Sequence, residues 1–284
     1  IYTGEDTLSL HDALPIFSLL LVQGEKALDL SNLHIKFRAN QADTESPNNA
    51  MIRVYNLSDE TLTAISEFGQ VVLQAGYDNQ FGVIFKGTVM QYRVGREDSL
   101  NSYLDILAAD GDSAYSFGVA NVTLEKGATV IDAVRAGISS MHENGVSEGY
   151  VASGTGGVLP RGKVLFGMAR DYVRRGAFML KSSWSIQDGK INIIPLDGYR
   201  PGEVLQLNAG TGMVGIPEQT QNGINFKMLL NPRLSVGNAV QIDNRLINQL
   251  VQKDKSAAPI PYDQYVGLQL LAKVTSDGLY RLFV

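Results

Sequence analysis

The sequence predicts a mainly β protein with an α/β insert, in which two small β-barrel domains flank a helix-helix-hairpin domain. Period-2 alternation recurs in short runs near both ends of the chain, as where Met51, Arg53 and Tyr55 alternate with Ile52, Val54 and Asn56. Helical spacing dominates only the middle, where Val130, Ile131, Val134, Ile138 and Met141 form one stripe. The 29 glycines supply turns for many short strands. These signals divide the chain into 17–112, a first barrel, 113–203, the insert, and 204–284, a second barrel.

Residues 1–16 stand apart. Leu8 to Ile16 resembles the translated read-through of a sequencing adapter, and Ile1-Tyr2-Thr3 fits the start of one. The segment is set aside from fold reasoning as an assembly artefact. A signal peptide does not fit it, because it has neither a basic start nor a useful apolar run. With no start methionine and alternation still running through Leu279 to Val284, a fragment cut at both ends is expected.

In the first barrel, Ser18 to Gln23 reads as a strand, Gly24-Glu25-Lys26 as a turn, and Leu28 to Phe37 as a second, longer strand. Pro47-Asn48-Asn49 is turn chemistry ahead of the Met51 strand. Ser58 caps a short helix whose Leu62, Ile65 and Phe68 pack inward, with Asp59 and Glu60 at its positive end. Gly69 stops that helix. Val71 to Tyr77, Val83 to Gly87, Thr88 to Val94 and Ser102 to Ala108 complete the strands.

The insert is expected to contain a helix over Gly127 to Glu143 closed by Gly145, a Gly-rich connector over Ser147 to Gly162, and a second helix over Lys163 to Arg175 ended by Gly176. Phe178 to Leu180 and Trp184 to Ile186 then lead to Asp188-Gly189 and Ile191 to Ile194, a hairpin with a tight turn. After Gln206 the chain reads as β again: Asn225 to Leu230, Ala239 to Ile242, Val266 to Thr275 and Leu279 to Val284. Asn244 to Val251 fits a strand end or a short helix equally. Ser256 to Tyr262 reads as an exposed loop and Ser276-Asp277-Gly278 as a turn.

Composition narrows the function. The formal charge is −5, and setting aside residues 1–16 removes three acids and no base. So weak a charge leaves no electrostatic footprint for nucleic acid or an anionic membrane. No apolar run is long enough to cross a membrane as a helix. With Cys absent, disulfides and thiolate metal sites are excluded.

Candidate chemistry is thin. Gly210 to Gly215 matches G-x-G-x-x-G, but Ile216-Pro217 follows where a helix should open, so a loop is expected. Ser153-Gly154-Thr155-Gly156-Gly157 lacks the Lys-Ser/Thr of a phosphate loop. His34 and His142 lack a partner at metal-binding spacing. Asp105, Asp110 and Asp112 lack the ligand ladder of a calcium loop and read as turn carboxylates. Ser153 and Ser185 have no nucleophile-elbow context. Arg170, Arg174 and Arg175, beside Asp171, read as a solvated helix face, and Trp184 as core. No catalytic, cofactor-binding or metal-binding residue is assigned, and no cofactor is expected.

Over about 70 residues the order PNNAMIRVYNLSDETLTAI, VVLQAGYD, GVIFKGTV resembles the N-terminal domain of baseplate hub proteins of contractile-tailed phages and prophages, related in fold to the N-terminal part of type VI secretion spike proteins. GIPEQTQNGINFKMLLNPRLSVGNAVQID resembles the start of their second barrel. The resemblance implies a structural, non-enzymatic homotrimer in the virion tail baseplate, assembled in the bacterial host cytoplasm. It would adapt the hexameric tail tube to the trimeric central spike, with tube and spike proteins as partners. The rival reading is a tail-associated protein that binds or degrades the cell wall, which would need two carboxylates across a cleft.

Overall fold

The computed structural model describes residues 15–77, 80–154, 156–220, 223–242, 267–274 and 280–282. In chain order these form β1 (Ile16–Gln23), β2 (Lys26–Asp29), β3 (Ile35–Asn40), β4 (Asn49–Tyr55), α1 (Asp59–Ala64), β5 (Gln70–Tyr77), β6 (Gln80–Arg96) and β7 (Ser102–Ala109). Then come α2 (Asp112–Phe117), β8 (Val119–Leu124), α3 (Val130–Met141), β9 (Ser147–Val151), β10 (Lys163–Met168), α4 (Ala169–Met179), β11 (Ser182–Gln187) and β12 (Lys190–Pro195). The remainder is β13 (Arg200–Leu207), β14 (Met213–Thr220), β15 (Gly223–Leu229), β16 (Asn238–Ile242), β17 (Gly267–Val274) and β18 (Tyr280–Leu282).

The expectation of a mainly β chain holds; that of closed barrels does not. Among the described residues, a seven-stranded sheet runs β2-β1-β5-β6-β7-β4-β3 and a six-stranded sheet β13-β16-β18-β17-β15-β14, each with two edges. In the first, the two rim strands are β2, four residues long and largely exposed, and β3. Two smaller sheets, β10-β8 and β11-β12-β9, serve the middle of the chain.

The chain divides into two compact units. One holds Ser18–Gln74 and Val83–Gly198; the other holds the described residues of 15–17, of Ala75–Gly82 and from Tyr199 onward. The first unit has two apolar clusters. Leu19, Leu21, Ile52, Val54, Leu73, Leu104 and Ile106 fill one under the seven-stranded sheet. Val134, Met141, Leu165, Val173, Trp184 and Ile193 fill the other. In the second unit Phe226, Met228, Val240 and Leu282 form a further cluster.

Local chemistry explains the elements. The Ser58 side chain accepts from the Thr61 N–H and caps α1. Thr129 and Asp132 form a reciprocal capping box that starts α3. Asp188 and Gly189 both take positive φ, 53° and 72°, as a two-residue hairpin turn requires, and Gln187 faces Lys190 across it.

Several expectations need correction. The single strand over Leu28 to Phe37 is broken: the Asp29 carboxylate accepts from the Ser31 N–H and the Leu33 N–H donates to the Leu30 carbonyl, turning the chain between β2 and β3. Lys163 to Met168 is strand β10, antiparallel to β8, not helix, with Leu165 buried between exposed Val164 and Phe166. The helix starts at Ala169 and continues through Gly176, which does not end it. Gly176 lies against Val134 of α3, where an added Cβ would come within 2.1 Å of Val134 Cγ2. Phe178 and Met179 therefore belong to α4. Ser147 to Val151 of the expected connector is β9, parallel to β12. The expected features at 244–251, 256–262 and 276–278, and residues 1–14, lie outside the described residues.

Candidate functional site

Two arrangements in the first unit gather polar side chains: a buried seam and the groove beside it. The seam begins at Asn48, which is 4% exposed. Its Nδ2 donates to the Ile186 carbonyl (3.0 Å) and to Gln187 Oε1 (2.7 Å), while its Oδ1 accepts from the Ala42 N–H. Gln187 Nε2 donates in turn to the Ala42 carbonyl (2.9 Å) and to Ser185 Oγ (3.2 Å). Segment 41–48 is thus bolted to the β11–β12 hairpin by side chains that are almost wholly buried.

Asp110 completes the seam. Its carboxylate accepts from the Gly189 N–H at 2.9 Å, and its own N–H donates to the Asn48 carbonyl. Burial raises its pKa to about 6; the Gly189 N–H opposes this, repulsion from Asp188 adds to it, and Lys86 lowers it slightly. Asp105 has a different task, taking a two-point ion pair from Arg53 (2.6 and 2.9 Å), whose guanidinium also lies 3.9 Å from the centre of the Tyr103 ring. Asp112 sits in the first turn of α2. The three carboxylates do not converge, and among the described residues no group of three or more His, Asp or Glu could hold a metal ion.

The groove lies beside the seam and has a volume of about 860 Å³. Asp43 and Glu45 line one part of it, with Trp184 and Ser183 of β11, Arg174, Arg175, Phe178 and Met179 of α4, Lys163, and Leu196. Both carboxylates come from one segment and both are engaged. Glu45 is ion-paired with Arg174, which also holds Asp171 at 3.0 Å, and Asp43 accepts from the Ser183 hydroxyl at 2.7 Å. The pair of acids facing each other that glycoside hydrolysis needs is not what this groove presents.

Other candidates are dispersed. Gly210 lies in a short 3₁₀ turn (Ala209–Thr211) and Gly215 already in β14, so a strand and not a helix N-terminus follows the turn. His34 stacks on Tyr55 with ring centres 4.8 Å apart, and His142 follows α3. Ser185 is buried in the seam; Ser153 is exposed. Trp184 is core, as expected, 2% exposed. The solvated arginine face is corrected in part. Arg170 donates to the Tyr115 carbonyl at 2.8 Å and lies over its ring, and Arg174 binds Glu45, so only Arg175 keeps the expected role. Neither groove nor seam was found from sequence, because Asp43, Glu45 and Asn48 sit more than a hundred residues from their partners.

No family model and no curated protein matches the chain. Solved structures do. The 43 kDa tail protein of prophage MuSo2 from Shewanella oneidensis superposes with a TM-score of 0.56 at 8% identity, covering 94% of this chain and 97% of that one. A tail protein from Neisseria meningitidis MC58 gives 0.52 at 9% identity, covering 95% and 96%. The chain shares their fold along almost its whole length.

Proposed function

We propose that this chain is a structural tail protein, the baseplate hub of a contractile-tailed phage or prophage. The observation that carries this reading is the fold shared along almost the whole chain with two tail proteins, one of them from a prophage. The open sheets fit it, since uncovered edge strands are liabilities in a monomer and joining surfaces in an assembly. In this reading the chain forms a homotrimeric ring that adapts the hexameric tail tube to the trimeric central spike, in the virion. Residues 17–112 and 204–284 build the ring and 113–203 is an insert between them. Its work is done by interfaces and not by an active site.

Mass photometry of the protein, with and without a central spike protein, tests this. A trimer that captures a spike trimer is the expected result. A monomer that ignores the spike refutes the hub, and assays of cell-wall binding and hydrolysis would then decide for the rival.

A further inference from the structure

We propose that the outer face of strands β3, β4, β7 and β6 binds an acidic segment of a partner protein, one that carries several carboxylates along its length. Register puts the cations in line. Lys36 pairs with Arg53, Arg53 with Asp105 and Asp105 with Arg93, so one row crosses four neighbouring strands. The row lies on the face opposite the apolar cluster that holds Ile52, Val54, Leu104 and Ile106. Arg38 stands two residues along β3 from Lys36, on the same face. Lys36, Arg38 and Arg93 are exposed. Like charges directly opposite, as in Lys36 and Arg53, repel across a strand pair. A face that had only to be solvated would intersperse the two signs.

Internal partners do not cancel this charge. Asp105 is taken up by the two-point bond from Arg53. Lys36, Arg38 and Arg93 make no ion pair among the described residues, and Arg93 donates to the neutral Gln91 side chain. Lys36, Arg38 and Arg53 line a recess of about 260 Å³ in which Glu97 is the one acidic lining residue. Four cations thus meet two carboxylates, in a chain whose formal charge is −5. The shape of the patch then chooses among anions. Lys36 and Arg93 stand three strand spacings apart, roughly 14 Å, so a small anion reaches one end of the row and a chain of carboxylates both. A single strand of nucleic acid also carries many charges, but it needs aromatic faces for its bases. Here the Tyr55 ring is buried and stacked on His34, and the Arg53 guanidinium covers the Tyr103 ring. Met51, 41% exposed between Arg38 and Leu107, adds an apolar contact of the kind a protein segment uses.

The intact protein is titrated at low salt with a fluorescein-labelled oligoglutamate peptide, and separately with single-stranded and duplex DNA of similar charge, with anisotropy as the readout. The expected result is saturable binding of oligoglutamate, weakening as salt rises and tighter than that of either DNA. The chain as a whole is acidic and repels this probe, so binding requires a local basic site. Lys36→Glu with Arg38→Glu weakens binding about tenfold or more, and Arg93→Glu at the far end of the row weakens it too. Lys126→Glu with Lys190→Glu makes the same change in net charge elsewhere and leaves binding within about twofold. All five side chains are exposed, so the variants keep the parent's urea midpoint. Equal weakening by the two double variants would overturn the assignment, because binding would then follow net charge. Displacement of the probe by free glutamate at equal carboxylate concentration would refute the row. DNA bound as tightly as oligoglutamate, with the same sensitivity to Lys36 and Arg38, would overturn the choice of a protein partner. Anisotropy unmoved by oligoglutamate would end the proposal.

Discussion

Replacing Asp110 with Asn isolates the electrostatics of the seam. The carboxyl is nearly inaccessible, 4% exposed, and its pKa stands at about 6 against 3.8 for the free side chain. A folded-state pKa above the unfolded one means that the folded protein holds the proton more tightly. The stability this group contributes is therefore fully present below about pH 3.8, falls between there and pH 6, and is flat above. At about 1.36 kcal/mol per unit, ionising the buried acid costs roughly 3 kcal/mol at neutral pH, of which about 2 kcal/mol accrues between pH 4.5 and 7.5. Asn has nearly the same shape, keeps an oxygen for the Gly189 N–H and does not ionise. Urea unfolding at those two pH values should therefore show Asp110→Asn gaining about 2 kcal/mol more, relative to the parent, at pH 7.5 than at pH 4.5. Parallel pH profiles for parent and variant would refute the reasoning, because the ionisation penalty would then lie elsewhere.

Other parts of the fold give sharper losses. Asn48→Ala should cost about 3 kcal/mol in urea unfolding, since it leaves the Ile186 carbonyl, Gln187 Oε1 and the Ala42 N–H without their partner in a dry site. Gly176→Ala should lower stability by about 1–3 kcal/mol by forcing α4 off Val134, and Val134→Ala in the same chain should restore part of it. If the double variant is no better than the sum of the singles, the helix contact is not the cause. Thr129→Ala removes the cap of α3 and should cost about 1 kcal/mol, read as a lower thermal midpoint. Tyr172→Phe removes the hydroxyl that accepts from the Phe166 N–H and donates to its carbonyl, both at 2.9 Å. With water close by to replace it, the cost should stay near 1 kcal/mol, while amide exchange at Phe166 speeds up.

Where local chemistry decides, the sequence was enough. Ser58, the Asp188-Gly189 turn and the stripe from Val130 to Met141 each specify their element through residues within one or two turns of each other. The Lys163 to Met168 segment shows the limit. Val164, Leu165, Met168 and Ala169 fit a helical face as well as they fit a strand, and pairing with the distant β8 settles the matter. Gly176 misleads for a related reason: a glycine that lets two helices approach looks like one that ends a helix until the second helix is known. The seam and groove were beyond reach altogether, as both depend on segment 41–48 meeting residues that only the tertiary fold brings near.

The phenol of Tyr172 has a consequence for how the protein behaves before it meets any partner. Its one oxygen occupies both backbone groups of Phe166 that point away from β8. Those are the groups through which a stray strand from another molecule would begin to zip on, encouraged by the exposed Val164 and Phe166 side chains. With both groups held by the phenol of a neighbouring helix, a strand approaching that rim finds neither donor nor acceptor at Phe166.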